Sequence, residues 1–303
     1  MKIGISLTSA YKTEDPRAGA RWMIERARAA REAGLDSLFV GDHHATPIPY
    51  YQNTPMLGRL LAEWGERAAG CLFLLPLWNP VLVAEQVGTL AAIAQGRFIF
   101  QCGLGEDERQ FVAMGADIKF RPSAFEESFT AVQRLLRGEM VSSDGRFKFQ
   151  NARVALLPAE PVEYWIGAQA KPAIERAARL ADGWIAAPSI TVDEAREQAA
   201  YYLERCAAYG RKPTAVAIRR DIYVGESDQE AEATARSVIE SGYRGFRPAA
   251  LAIGGAQKII EEFRSLAEAG YTDIIVRHIT VDQSKVLDST GRLADVRRAL
   301  QPG

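Results

Sequence analysis

The sequence predicts a (β/α)8 barrel, the TIM-barrel class of α/β fold, and three observations carry that prediction. Eight short apolar runs alternate with longer segments of helical periodicity over 303 residues. The segment Thr8–Glu14 after the first run lacks the glycine-rich phosphate turn that an open dinucleotide-binding sheet would place there. All three histidines follow apolar runs directly, at what would be a single rim of a closed barrel.

Residues 2–7 form the first strand, and Pro16 opens a helix with Ala20, Met23, Ala27 and Ala30 on one face, closed at Gly34. Leu38–Gly41 is the second strand and Pro55–Trp64 the next helix. Cys71–Leu75 is a third strand, apolar throughout, as a strand covered on both faces should be. Pro80 starts the third helix, Phe98–Phe100 is the fourth strand, and Phe125, Phe129, Val132 and Leu136 mark a helix ending at Gly138. Residues 139–158 break the rhythm, because Ser143-Asp144-Gly145 reads as a turn beside the alternating Phe147 and Phe149 of an inserted hairpin. Strands at Tyr164–Ile166 and Trp184–Ala186 flank a helix from Pro172 to Ala181, and Ala195, Ala199, Tyr202 and Cys206 share the face of the helix that follows. Ala215–Val224 is the seventh strand, followed by a helix from Asp228, a loop insertion at about 241–255, and a helix carrying Ile259, Phe263 and Leu266. Asp273–Arg277 is the eighth strand, so that residues 1–303 read as one barrel domain with two insertions.

Composition narrows the function classes. Lys+Arg 37 against Asp+Glu 38 leaves a net charge of -1, with no basic block for a nucleic-acid backbone. No apolar run reaches the roughly 18 residues of a membrane span, and the N-terminus lacks a signal-peptide layout, so the expectation is a cytoplasmic protein without a membrane partner. Cys71, Cys102 and Cys206 are an odd, widely spaced set that suggests neither a disulfide framework nor a zinc site. Nucleophile-elbow, zinc-helix and P-loop motifs are absent, and no metal site is expected.

Chemistry in a barrel belongs on the loops after the strands. Those loops carry Thr8 and Ser9, then Asp42, His43 and His44, then Gly105, Glu106 and Asp107, then Ala168, Gln169 and Lys171, then Ser189, and finally Arg277 and His278. Asp42-His43 has a plain reading as a loop cap, but the gathering of histidines on one rim favours proton chemistry near pH 6.5. His44, next in an alternating chain, is expected to point the other way. Asp107 reads as a helix cap, and Cys71 and Cys102 as small core residues. Arg219, Arg220 and Asp221 read as a salt bridge at the barrel wall, although an arginine turned inward would contact an anion. Gly167 to Pro172 forms a strand-to-helix turn in which outward N–H groups, the helix dipole and Lys171 would suit a phosphate.

The chain resembles the luciferase-like flavin-dependent oxidoreductases, which include bacterial luciferase and the deazaflavin (coenzyme F420) dehydrogenases and reductases. The resemblance rests on phrases spread over nearly the whole chain. They are Ala33-Gly34-Leu35-Asp36-Ser37 into Gly41-Asp42-His43-His44, Leu75-Pro76, Asn79-Pro80, Gly96-Arg97-Phe98, Gly115-Ala116-Asp117, Trp165-Ile166-Gly167, and Arg179 to Trp184. It implies His43 as the acid or base at the flavin's reactive edge with Asp42 orienting or sharing its proton, and Glu106, after Gly105, as a proton donor or acceptor. It further implies a bulge with a cis bond at Cys71-Leu72 behind the ring, and backbone amides of Ala168 and Gln169, after Gly167, on the cofactor phosphate beside Lys171.

Leu104 stands where luciferase has an arginine for the flavin phosphate, the threonine hydroxyl expected near Pro172 or Ala173 is missing, and Asn79 replaces a frequent histidine. These departures tilt the expected cofactor from FMN toward F420. The expected activity is hydride or oxygen transfer to a small organic substrate, by FMN/O2 monooxygenation or by F420-dependent dehydrogenation or reduction. A non-catalytic flavin-binding protein, and a barrel hydrolase or lyase acting on a phosphorylated substrate, are the competing classes. Tyr243 to Pro248 reads as a lid with arginines for an anionic group or as a surface contact, and Tyr50-Tyr51 as an aromatic wall. A homo-oligomer is suggested by analogy alone.

Overall fold

The computed structural model describes residues 1–301. Its first half runs β1 (Lys2–Leu7), α1 (Pro16–Glu32), β2 (Ser37–Val40), α2 (Asn53–Trp64), β3 (Ala68–Leu74), α3 (Pro80–Ile93), β4 (Phe98–Gly103), α4 (Glu108–Ala113) and α5 (Arg121–Leu136). The hairpin β5 (Val141–Asp144) and β6 (Lys148–Ala152) follows, then β7 (Glu163–Gly167), α6 (Lys171–Leu180), β8 (Gly183–Ala186) and α7 (Val192–Ala208). The last third is β9 (Ala215–Gly225), α8 (Asp228–Glu240), β10 (Ala252–Gly255), α9 (Ala256–Glu268), β11 (Asp273–His278) and α10 (Gln283–Leu300).

Strands β1, β2, β3, β4, β7, β8, β9 and β11 pair in parallel in that order, and β11 returns to β1, closing an eight-stranded barrel. The expected (β/α)8 class is the observed one, and its eight strands are those read from the apolar runs. Two elements differ. Ala252–Gly255, placed in a loop insertion, is a ninth strand that pairs with the extended C-terminal part of β9, from Ile222 to Gly225. Its four residues include two glycines, too short and too glycine-rich for an apolar-run signal. Helix α10, not identified in the sequence, packs against α1 and α9 and completes the outer ring.

Side-chain parity in each strand decides what faces the barrel axis. Phe39, Ile99, Trp165, Ala215, Ala217 and Ile275 fill the interior as one cluster, while the alternate residues pack outward beneath the helices. Full burial of each large member contributes roughly 1.5–3 kcal/mol. Gly70 on β3 is required by close approach, since a Cβ there would lie 1.9 Å from the Ile99 carbonyl oxygen. The barrel is therefore plugged in its middle, and open space lies above the plug, at the C-terminal strand ends.

Candidate active site

That space is a cavity of about 590 Å³. Its floor and walls come from residues one or two positions beyond the plug on successive strands, including Ser6, Leu72, Gln101, Gly167, Arg219 and Arg277. The 3₁₀ turn at Tyr243–Gly245 brings Arg244, and Phe246 beside it, over the mouth. Arg244 holds φ 48° and ψ 18°, a left-handed conformation that costs a non-glycine residue on the order of 1 kcal/mol or more.

The β2 loop delivers Asp42, His43 and His44 to different partners. Asp42 is fully buried; its Oδ2 accepts from the Leu74 N–H at 2.7 Å and from Trp78 Nε1 at 2.8 Å. His44 Nε2 lies 3.2 Å from Asp42 Oδ1, within ion-pair distance but off the line of a good hydrogen bond, and the His44 ring meets Trp78 edge-on at 5.3 Å. His43 instead lines the cavity, with its Nδ1 3.2 Å from Gln110 Nε2 and Tyr50 edge-on at 5.4 Å. The expected Asp42–His43 pairing is thus replaced by two pairings, Asp42 with His44 and Gln110 with His43. Adjacent residues on an extended chain point to opposite sides, so a carboxylate turned into the wall meets the next-but-one side chain.

Burial is the largest influence holding the His43 pKa below its ordinary value; the Arg277 charge acts the same way and Asp42 opposes both. His43 is therefore neutral at pH 7. Burial pushes the Tyr50 phenol up to about 12, which keeps it protonated.

On the loop after β4, Gly105 takes φ 72° beside the Phe111 ring, and Glu106 is exposed at the cavity rim. Asp107 caps α4 by accepting from the Arg109 N–H at 3.1 Å, which is the structural role read for it. Across the mouth, the β7–α6 turn presents Gly167, Ala168, Gln169 and Ala170. Trp184 Nε1 donates to the Ala168 carbonyl at 2.8 Å and Ala168 N–H donates to Ile185 O at 3.1 Å, which anchors the turn on β8. The Ala168 amide is thereby occupied. The N–H groups left without a protein acceptor among the described residues are those of Gln169, Ala170 and Lys171, a short row at the start of α6. The Lys171 side chain does not reach the cavity; its Nζ lies 5.5 Å from the Tyr201 ring centre on α7.

Three other expectations change. Among the described residues there is no cis peptide bond, and β3 keeps unbroken register with β4 from Ala69 to Leu74, so Cys71-Leu72 forms neither a cis bond nor a bulge. Of that pair only Leu72 lines the cavity; Cys71 faces outward into the helix-packed core, where burial raises its thiol pKa. His278 also faces outward, with Nε2 3.1 Å from Ser289 Oγ on α10, although its strand lies next to β1.

The structure adds Gln101 and Gln110, which the sequence did not assign to the site, and brings into the cavity three arginines that the sequence offered only as rim, wall or lid residues. Gln101 is buried on the cavity floor with its Nε2 unpaired among the described residues. Arg277 lines the cavity beside Asp221 in register and has no carboxylate partner among the described residues. Arg219 pairs with Asp221 at 2.9 Å and Arg244 approaches the same carboxylate at 3.5 Å, while Tyr243 Oη donates to it at 2.7 Å. Burial works to raise the Asp221 pKa, and Arg219, Arg277 and Arg244 together overcome it and hold the carboxyl below its ordinary value. Strand parity, with Arg219 and Arg277 on the same faces as the plug residues Ala217 and Ile275, is the signal that would have found both arginines.

His278 sets an acid limit on the fold. Burial, with a smaller contribution from the Arg26 charge, lowers its pKa from 6.5 to about 3. Its neutral form is favoured in the folded state, so this contribution is fully present above pH 6.5 and is lost as pH falls toward 3. The expected loss at pH 5 is about 2 kcal/mol, and His278→Gln should flatten that part of the profile in urea unfolding at pH 5 and 7.5. Equal pH dependence in wild type and variant would contradict it.

Comparison with known proteins places the chain by sequence and by fold. The chain is 30% identical over 202 residues to the F420-dependent glucose-6-phosphate dehydrogenase of Nakamurella multipartita and 30% identical over 188 residues to that of Intrasporangium calvum. These matches cover 60% and 58% of this chain, and 58% and 56% of the relatives, so the chain spans little more than half the length of the curated relatives it matches. Among solved structures, a monooxygenase from Streptomyces bottropensis superposes with TM-score 0.86 at 20% identity, covering 97% of this chain and 98% of that one. An F420-dependent secondary alcohol dehydrogenase bound to an F420-acetone adduct superposes with TM-score 0.80 at 18% identity, covering 99% of each chain. An FMN-bound Baeyer-Villiger monooxygenase component from Pseudomonas putida gives TM-score 0.79 at 17% identity, covering 98% of each. Residues 1–273 match the model of the luciferase-like monooxygenase family, and the chain belongs to that family.

Proposed function

We propose that this protein is an oxidoreductase that binds F420 or FMN in the barrel mouth and acts on a small organic substrate, with His43 as the proton-handling residue. The observation that carries the reading is the placement of a neutral, cavity-facing imidazole and a row of free backbone N–H groups on opposite walls of one cavity. The residues present suit such a group. The N–H groups of Gln169, Ala170 and Lys171 would hold its phosphate, Leu72, Leu74 and Ile185 would flank its ring, and the unpaired Gln101 amide offers a donor to a ring heteroatom. When bound, the group supplies hydride or activated-oxygen chemistry. The chain's own part is to bind and orient, to shield the site with Phe246 and Arg244, and to hold a proton at His43. Glu106, exposed at the rim, is the second proton-carrying side chain. The three arginines around one carboxylate leave positive charge in the mouth, which supports an anionic group on the substrate or cofactor.

F420 is favoured over FMN, because the relatives near 30% identity are named for F420 and Leu104 leaves luciferase's arginine unreplaced. Titration of the purified protein with F420 and, separately, with FMN, followed by absorbance and protein fluorescence, tests the reading. Saturable micromolar binding of F420, tighter than that of FMN, is expected. Failure of both to bind below millimolar concentration would overturn it. A homo-oligomer and a cytoplasmic location are proposals by analogy; no helix among the described residues is long and apolar enough to cross a membrane.

A further inference from the structure

We propose that Gln110 is a positioning residue that fixes the tautomer of His43, so that Nε2 carries the ring proton and the substrate meets a hydrogen-bond donor. The proposal rests on His43 as the proton-handling residue and adds which oxygen chemistry it serves. Gln110 sits on the first turn of α4, buried, with both ends of its amide engaged. Its Oε1 accepts from the backbone N–H of His44 at 2.9 Å. That bond leaves only the NH2 group to face His43, and the NH2 nitrogen is 3.2 Å from His43 Nδ1.

An amide NH2 can only donate, so Nδ1 must be the unprotonated nitrogen of the ring. In a neutral imidazole the proton then resides on Nε2. Turning the amide over would set its NH2 against the His44 N–H and lose the 2.9 Å bond, so the orientation is locked by backbone rather than by a mobile side chain. Among the described residues no carboxylate hydrogen-bonds the His43 ring to reverse the choice, and Asp107 meets the Gln110 amide rather than the imidazole. Asp42 is committed to Leu74, Trp78 and His44, and the other groups around His43 are the Tyr50 ring and the positive charges of Arg277 and Arg244.

The consequence is a restriction on substrate. A ring with its proton on Nε2 stabilises negative charge growing on a carbonyl oxygen by donating a hydrogen bond. It is poorly arranged to take a proton from an alcohol, because its free lone pair is on Nδ1 and points at Gln110. The favoured substrate class is therefore a ketone, aldehyde or conjugated carbonyl compound rather than an alcohol. The ring keeps its proton during this polarisation, so the proton that completes a reduced product is drawn from solvent water.

The test needs no substrate, because the chain has only three histidines. Nitrogen-15 NMR of the cofactor-free protein, with assignments from His43→Gln, should show His43 neutral at pH 7.5 as the Nε2–H tautomer. In Gln110→Ala the signals should move toward a tautomer mixture. Gln110→Glu keeps the shape but replaces the donor with a carboxylate; it should shift the proton to Nδ1 and raise the His43 pKa by about one to three units. An unchanged tautomer and pKa in both variants would overturn the proposal, as would a wild-type ring protonated on Nδ1. If Gln110→Ala fails to fold, Gln110→Glu alone decides the matter. Because the readout is made without cofactor, its failure is separable from a failure of F420 and FMN to bind.

Discussion

Asp42→Ala is expected to lower folding stability by about 3–5 kcal/mol, the largest single-residue effect predicted for this protein. The carboxylate is fully buried and holds the Leu74 N–H, the Trp78 indole N–H and the His44 ring in one place. Removing it leaves two buried donors unmatched and a void beneath the β2 loop. Asp42→Asn keeps an oxygen acceptor and should lose roughly half as much. Guanidinium unfolding at pH 7 measures both. A loss under about 1 kcal/mol for the alanine variant would show that water or a shifted backbone replaces the carboxylate, and that Asp42 is not the strut of the β2 loop.

His43→Ala is expected to reduce turnover by about 10²–10⁴-fold, with F420 affinity within about twofold of wild type. The ring is a cavity wall on one side and is held by Gln110 on the other, so truncation removes a proton-bearing group without touching the turn between β7 and α6 proposed to hold the phosphate. Parallel cofactor titration and steady-state assay with any carbonyl substrate that the wild type reduces separate the two quantities. Lost cofactor binding with undiminished turnover per bound cofactor would reassign His43 to the pocket wall. The split also distinguishes His43 from Asp42, whose removal should lower thermal stability before it lowers the rate of folded protein.

Much of the architecture was readable along the chain because it depends on local chemistry. Buried parallel strands must be apolar on both faces, which made Leu38–Val40 and Phe98–Phe100 visible, and Pro16, Pro80 and Asp107 mark helix starts that the structure keeps. Ala252–Gly255 escaped because four residues with two glycines carry no apolar run, and its strand character comes only from the free edge offered by the long β9. Phrases such as Gly41-Asp42-His43-His44 pointed to the family because several of them recur in order, which is a property of sequence alone.

The sequence by itself determined the barrel, its eight strands, the rim that carries the proposed site and the residue, His43, on which the proposed mechanism turns. Only the tertiary structure decided how those rim residues are shared out. It turned Cys71, His278 and the Lys171 side chain away from the cavity and brought Arg219, Arg244, Arg277 and Gln101 into it. It also gave Asp42 to His44 and Gln110 to His43. The physical reason is that strand position follows from a residue's own polarity and its near neighbours. The choice of partner depends on side-chain parity and on elements distant in sequence, such as α4 lying against the β2 loop 66 residues away.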